Sequence, residues 1–410
     1  VHGESTFQRA IAFAADLIRI PSPSGLEGDV ARRVMSEMEA LGFDDAWTDA
    51  FGNVIGRVRG RGESPPLMLC SHLDVVDEGD PAGWEHPPYG GIVAGGWLHG
   101  RGAADVKGAL ALQVYAAGAF VRERPAGDVY VAGTVMEERG GWGMAHLMRA
   151  GEVSPAVVIL GEATGGDLCI GHRGHAELEI EIRGLAGHAS APDRARNPAA
   201  LLPHVLQVLE QMAAGLPSDP VLGVSTLAPT VVETEPRSRN AVPELARVVV
   251  DWRVLPGWDE ESEVEALRAR LDGKRMEGVT LEVRAVEGRQ RSYTGLEEQG
   301  SLFTPGFLLD PGHPLVRTAA RVVAAARGRP PTVRSWAFAT DGGYSCGVHG
   351  VPTLGYAPGA ESFAHTNRER LPLDEAEEVF DTYPALIRAL LGTLPRSREV
   401  SMELAVAERA

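Results

Sequence analysis

Apolar residues recur at helical spacing over 7–20 and again over 27–41, and the Pro21-Ser-Pro-Ser-Gly25 stretch between them ends one helix and starts the next. Short apolar runs follow at 54–60, 66–72, 128–136 and 156–161, each read as a strand. The spacing predicts helices over 106–121 and 143–150. Near-continuous apolar strands alternating with helices predict a mostly parallel sheet covered on both faces. The same texture returns late in the chain, with a helix over 313–327, a buried strand over 351–357, and a long helix over 372–393 opened by Pro372.

The middle of the chain has another rhythm. Residues 175–184 (HAELEIEIRG) alternate strictly, the pattern of a sheet with one wet face. A helix near 198–214, strands near 223–234 and 241–255, a helix over 259–273 and a strand near 279–287 complete a compact α+β unit. The expected fold class is therefore α/β, a mostly parallel-sheet domain carrying an inserted α+β domain. The expected limits are 1–178 and 295–410 for the two parts of the outer domain and 179–294 for the insertion, whose ends must lie close together.

Composition narrows the function classes. Of the 410 residues, 56 are acidic and 39 are Lys or Arg, a formal net charge of -17. That balance repels phosphate backbones and anionic membrane surfaces, so no nucleic-acid or membrane partner is expected, although a local pocket can still attract a small anion. Cys70, Cys169 and Cys346 are too few for a disulfide scaffold and match no thiolate zinc spacing. No run of 18 apolar residues and no charged-then-apolar leader is evident, and a cytoplasmic enzyme is expected.

The polar residues that carry chemistry cluster just past predicted strands, where α/β sheets place ligands. In Cys70-Ser-His72-Leu-Asp74, residues two apart face one side, so Asp74 is expected behind His72, accepting the proton of its far ring nitrogen. Asp105 lies in the glycine-bearing stretch His99-Gly-Arg-Gly-Ala-Ala-Asp105-Val-Lys-Gly108. Glu137 and Glu138 leave an apolar strand side by side, which is costly unless a cation lies nearby or one stays protonated. Glu162 ends a further strand, and His365 follows another in Gly359-Ala-Glu-Ser-Phe-Ala-His365-Thr-Asn-Arg-Glu369. Singly, each has an ordinary reading: a structural His–Asp hydrogen bond, a helix cap, an exposed acidic turn paired with Arg139. Five strand ends of one domain releasing His, Asp or Glu point together to divalent metal.

In their order SHLDVV, GRGAADVKG, MEERGG, GEATGG and AHTNRE, these motifs resemble the M20 family of dinuclear zinc peptidases and amidohydrolases over nearly the whole chain. The texture is most similar to the acetylornithine deacetylase and succinyl-diaminopimelate desuccinylase branch. The resemblance implies that His72 and Glu162 hold one metal, Glu138 and His365 the other, and that Asp105 bridges them through a loop with a cis Asp105–Val106 peptide. It implies that Asp74 orients His72 and that Glu137 is the general base. The inserted domain would be a lid and dimerisation domain, making the protein a homodimer in which His188 reaches the neighbouring subunit's site. Asn240 and Arg253 would hold a substrate carboxylate, with a fork to Asp251 as the ordinary alternative for Arg253, and Gly359 would leave room for substrate backbone. The cofactors implied are two divalent ions, Zn2+ foremost, with Co2+ or Mn2+ suited to a similar shell. The expected reaction is hydrolysis of the amide bond of a small N-acyl amino acid. Dipeptidase or carboxypeptidase action shares the same residues and stays open, and retention of Glu137 speaks against a non-catalytic metal-binding paralogue.

Overall fold

A computed structural model describes residues 5–395; residues 1–4 and 396–410, the ends of the two expected outer-domain parts, lie outside the described residues. An eight-stranded sheet runs in the order Asp45–Thr48, Val54–Val58, Val129–Thr134, Leu67–His72, Val157–Leu160, Thr353–Gly355, Leu168–Cys169, Val333–Arg334. The four central strands pair parallel. Antiparallel pairs flank them on both sides, with a final parallel pair at the outer edge.

The apolar runs are continuous because alternate residues feed two different cores. Leu67, Leu69, Val129, Val131, Val157 and Ile159 point to one face. Met68, Cys70, Tyr130, Ala132, Val158 and Leu160 point to the other. The first face is covered by the helices Thr6–Ile18, Gly28–Leu41, Lys107–Gly118 and Leu373–Thr393, the second by Trp142–Ala150. A capping box between Ser5 and Gln8 starts the first helix. Lys107–Gly118 is buried on all sides, as its sequence KGALALQVYAAG without a polar stripe requires.

The insertion folds on an antiparallel sheet in the order Thr226–Glu235, Leu245–Val254, Gly174–Arg183, Thr280–Ala285, with Phe303–Thr304 pairing the start of the third strand. The helices Leu202–Ala214 and Glu260–Leu271 cover the face that carries Leu178, Ile180, Ile182, Val248 and Val250. Its entry and exit touch: a Cβ on Gly174 would lie 2.7 Å from the Gly306 nitrogen. A hairpin of Glu287–Arg291 and Glu297–Ser301, invisible in the apolar pattern because its strands are polar and partly exposed, reaches back to the outer domain through Tyr293, whose hydroxyl donates to the Gly52 carbonyl at 3.0 Å. No helix among the described residues is long and apolar enough to cross a membrane.

Candidate metal centre

His72 ends the strand Leu67–His72. Its Nδ1 lies 2.8 Å from the Asp74 main-chain carbonyl, which can only accept, so Nδ1 carries a proton and Nε2 is the nitrogen that faces the cluster, free to offer a lone pair to a cation once the ring is neutral. The Asp74 carboxylate is 3.7 Å from the same nitrogen. The sequence put that carboxylate behind the ring; the strand stops at His72, so alternation no longer governs Asp74, and the carbonyl takes the place instead. The carboxylate serves the neighbouring turn, accepting from the N–H groups of Glu137 at 3.0 Å and Glu138 at 3.2 Å and from the Ser24 hydroxyl at 2.6 Å.

The same turn is fixed further upstream. Val135 donates its N–H to Asn53 Oδ1 at 3.0 Å, and Met136, at φ +53°, donates to Glu27 Oε1 at 3.2 Å. Four successive amides, 135 to 138, are thus held by side chains from elsewhere, which aims Glu137 and Glu138 inward from a segment with no regular structure of its own.

Asp105 stands between two histidines. Its Oδ1 is 3.0 Å from His72 Nε2 and its Oδ2 is 3.1 Å from His365 Nε2. His72 Nε2 is also 3.6 Å from Glu162, and His365 Nε2 is 3.0 Å from Glu138. The Asp105–Val106 peptide is cis. Two groups have their ligand atoms within 4.8 Å of one another: His72, Glu137, Glu162 and His72, Asp105, Glu138.

The electrostatics of this cluster ask for cations. Burial pushes the carboxyls of Glu137 and Glu162 well above the usual range and raises Glu138, with His72 or His365 opposing and the neighbouring acids adding to the rise. Asp341, buried behind them and flagged by no strand-end signal in the sequence, is pushed up to about 6, chiefly by desolvation. Its Oδ2 accepts from Thr134, while its Oδ1 is buried without a hydrogen-bond partner among the described residues. For His72 burial works against protonation, but the bond to Asp105 and the charges of Glu162 and Glu137 outweigh it and raise the ring well above its ordinary value. Bonds to Asp105 and Glu138 raise His365 to about 10. Asp105 is pulled below the ordinary range, since the bonds from His365 and His72 overcome its desolvation. Buried carboxylates that resist ionising beside histidines that hold protons form a set a pair of divalent cations would neutralise. Oxygen and imidazole donors suit zinc, cobalt or manganese.

A cavity of about 410 Å³ opens over the cluster. Asp105, Glu137, Glu138, Glu162 and His365 line its floor, while Arg253, His175 and Thr304 reach it from the inserted sheet. Arg253 forks onto Asp251, Nε to Oδ1 at 2.9 Å and Nη2 to Oδ2 at 3.0 Å, so its ordinary alternative and its place in the cavity coexist. His175, the cross-strand neighbour of Arg253, brings Nε2 to 3.0 Å from Asp251 Oδ2. In the sequence His175 is only the first residue of an alternating strand, and a histidine on the wet face of that strand is the signal that could have marked it.

Three residues lie apart from this floor. His188 and Asn240 are exposed and close to each other, since Gly187–His188 pairs with Ala241–Val242 and the Ala189 N–H donates to the Asn240 carbonyl, but neither lines the cavity of its own chain. Gly359 is buried, its N–H given to Glu375 and its carbonyl accepting from the Gly165 N–H, and it does not line the cavity either.

The model of Peptidase family M20/M25/M40 matches residues 68–389. The chain is 31% identical over 363 residues to the uncharacterized protein YgeY of Escherichia coli (strain K12), covering 87% of this chain and 88% of that one. It is 30% identical over 389 residues to succinyl-diaminopimelate desuccinylase of Paracoccus denitrificans, covering 91% and 96%. Its fold is similar to that of aminopeptidase PepT from Bacillus cereus, with a TM-score of 0.71 at 20% identity over 94% of this chain and 98% of that one. The likeness in sequence, the sheet with its inserted domain and the paired clusters of histidine and carboxylate agree: this chain belongs to peptidase family M20/M25/M40, as a dinuclear metal-binding hydrolase of amide or peptide bonds.

Proposed function

We propose that the chain hydrolyses the amide bond of a small N-acyl amino acid, in the manner of the deacetylase and desuccinylase branch. In this reading His72 and Glu162 would hold one ion and Glu138 and His365 the other, with Asp105 contributing a carboxylate oxygen toward each. The observation that carries it is the position of Asp105, with one oxygen 3.0 Å from His72 and the other 3.1 Å from His365. The 30% identity to a desuccinylase over nine-tenths of the chain supports the branch. The cavity of about 410 Å³ suits a substrate of amino-acid or dipeptide size.

Bound divalent ions would polarise the scissile carbonyl and lower the pKa of a nearby water. Glu137 removes the proton as that water attacks and returns it to the departing nitrogen. Asp74 keeps Glu137 aimed by accepting a hydrogen bond from its main-chain N–H. Arg253, braced by Asp251, receives the carboxylate of the amino acid, a task suited to a planar guanidinium. Arg253→Lys should therefore raise KM by about 10- to 100-fold with a much smaller change in kcat, because a point charge cannot reproduce the paired contact. Equal losses in both constants would move Arg253 from substrate binding to the chemistry itself.

The deciding experiment is a turnover screen of N-acetyl, N-succinyl and N-formyl amino acids beside simple dipeptides, on chelated protein reloaded separately with zinc, cobalt or manganese. Turnover of an N-acyl amino acid with kcat/KM at least about tenfold above every dipeptide supports the proposal. Turnover of dipeptides alone overturns it in favour of a peptidase.

His188 completes the site from a second copy in this reading. Among the described residues the strand Thr226–Glu235 is an open sheet edge with Val231 and Val232 exposed, the kind of edge that pairs with another chain. Mixing His188→Ala subunits with Glu137→Gln subunits should restore activity, to about a quarter of the parent's by random assortment into dimers with one intact site. A mixture as inactive as its components would place both residues in their own chain's site.

A further inference from the structure

We infer that Glu369 is a positioning residue, one that locks the loop carrying Asp105 to the segment carrying His365 and so sets the spacing of the metal centre. The Glu369 side chain is fully buried, and each of its oxygens has a separate task. Oε1 accepts from the N–H groups of Ala104 at 3.1 Å and Asp105 at 3.0 Å. Oε2 accepts from Arg101 Nη1 at 2.5 Å, and Arg101 in turn donates to the Asp77 carbonyl and lies over the Trp84 ring. The main chain joins the same loop: the Gly100 N–H donates to the Glu369 carbonyl, and Arg370 pairs with His99.

These contacts act where aim matters. Two amides at and just before Asp105 fix the peptide plane from which its carboxylate projects, in a stretch between a strand and a helix where no ladder would hold it. His365, four residues upstream, is 54% exposed at φ +58° and makes side-chain ion pairs with Asp105 and Glu138. Anchoring the segment at residue 369 keeps the His365 ring over the same carboxylate that Glu369 steadies from behind. Groups that orient ligands without touching metal typically change metal affinity 10- to 100-fold when replaced.

Glu369→Gln preserves volume but turns one acceptor into a donor, which must face either Arg101 or the two amides. Metal-stripped full-length protein titrated with Co2+ and with Zn2+, followed by calorimetry and by the visible bands of Co2+, should bind about 10- to 100-fold more weakly in this variant, with displaced bands. Val379→Ala, at a buried position of the helix Leu373–Thr393 that makes no side-chain hydrogen bond to the loop, should lower the melting temperature while leaving affinity and bands as in the parent. Parent-like affinity and bands in Glu369→Gln overturn the inference, as does an equal loss of affinity in Val379→Ala. If Glu369→Gln does not fold, Arg101→Gln/Glu369→Gln removes the unpaired buried charge and carries the same measurement: weaker binding supports the lock and parent-like binding overturns it.

Discussion

Replacing Glu137 with Gln is expected to cut kcat by about 10²- to 10⁴-fold, the usual worth of a positioned proton acceptor, while both metals remain bound. Gln keeps the shape and the main-chain bond to Asp74, so the turn should not move. It cannot take a proton. The metal content has to be measured with the rate, because geometry alone allows Glu137 a second role: its carboxylate lies within 4.8 Å of ligand atoms on both His72 and Glu162. Loss of an equivalent of metal along with activity would make Glu137 a ligand, and retention of most of kcat would remove it from the reaction. Only full metal content with a collapsed rate fits a general base.

Much of this site was legible in the sequence because it is built on strand ends, which the apolar runs locate. His72 and Glu162 leave the sheet where those runs stop, and Glu137 and Glu138 follow one of them after a short turn. The parts that escaped are those held by irregular backbone. Asp341 sits at the start of the short helical segment Gly343–Val348, its carbonyl accepting from the Tyr344 and Ser345 N–H groups, and Glu369 acts through the amides of a loop far away in sequence. Neither has a periodic signature. The part played by Asp74 shows the same limit at finer grain: the spacing puts its carboxylate behind His72, but past the strand's end the main-chain carbonyl makes the contact instead. In the sheet itself, the antiparallel edge strand Asp45–Thr48 was missed because DAWT is half exposed and offers no apolar run.

Removing the metals should give a protein whose stability falls as pH rises from about 4.5 to 8. A group that holds its proton more tightly when folded favours the folded state below its unfolded pKa, and that contribution disappears as pH climbs through its folded pKa. In the metal-free cluster Asp341 is raised from 3.8 to about 6, and Glu137, Glu138 and Glu162 are raised above 4.5. His72 is raised well above its ordinary value and His365 is raised from 6.5 to about 10, and all six groups therefore push in one direction. Asp105 is lowered and acts oppositely, its contribution being lost only in stronger acid, below the window. Each extra proton held by the folded state changes stability by about 1.4 kcal/mol per pH unit, less for the half-exposed His365, which solvent screens. Divalent ions compete with these same protons, so the stabilisation they provide should grow with pH. The measurement is the difference in melting temperature between reloaded and chelated protein from pH 5 to 8, since subtraction cancels the remote charges of a chain with net charge -17. That difference should widen steadily with pH. A difference that stays constant or narrows would mean that these carboxylates and histidines do not face the metals, and the centre built on Asp105 would fall with it.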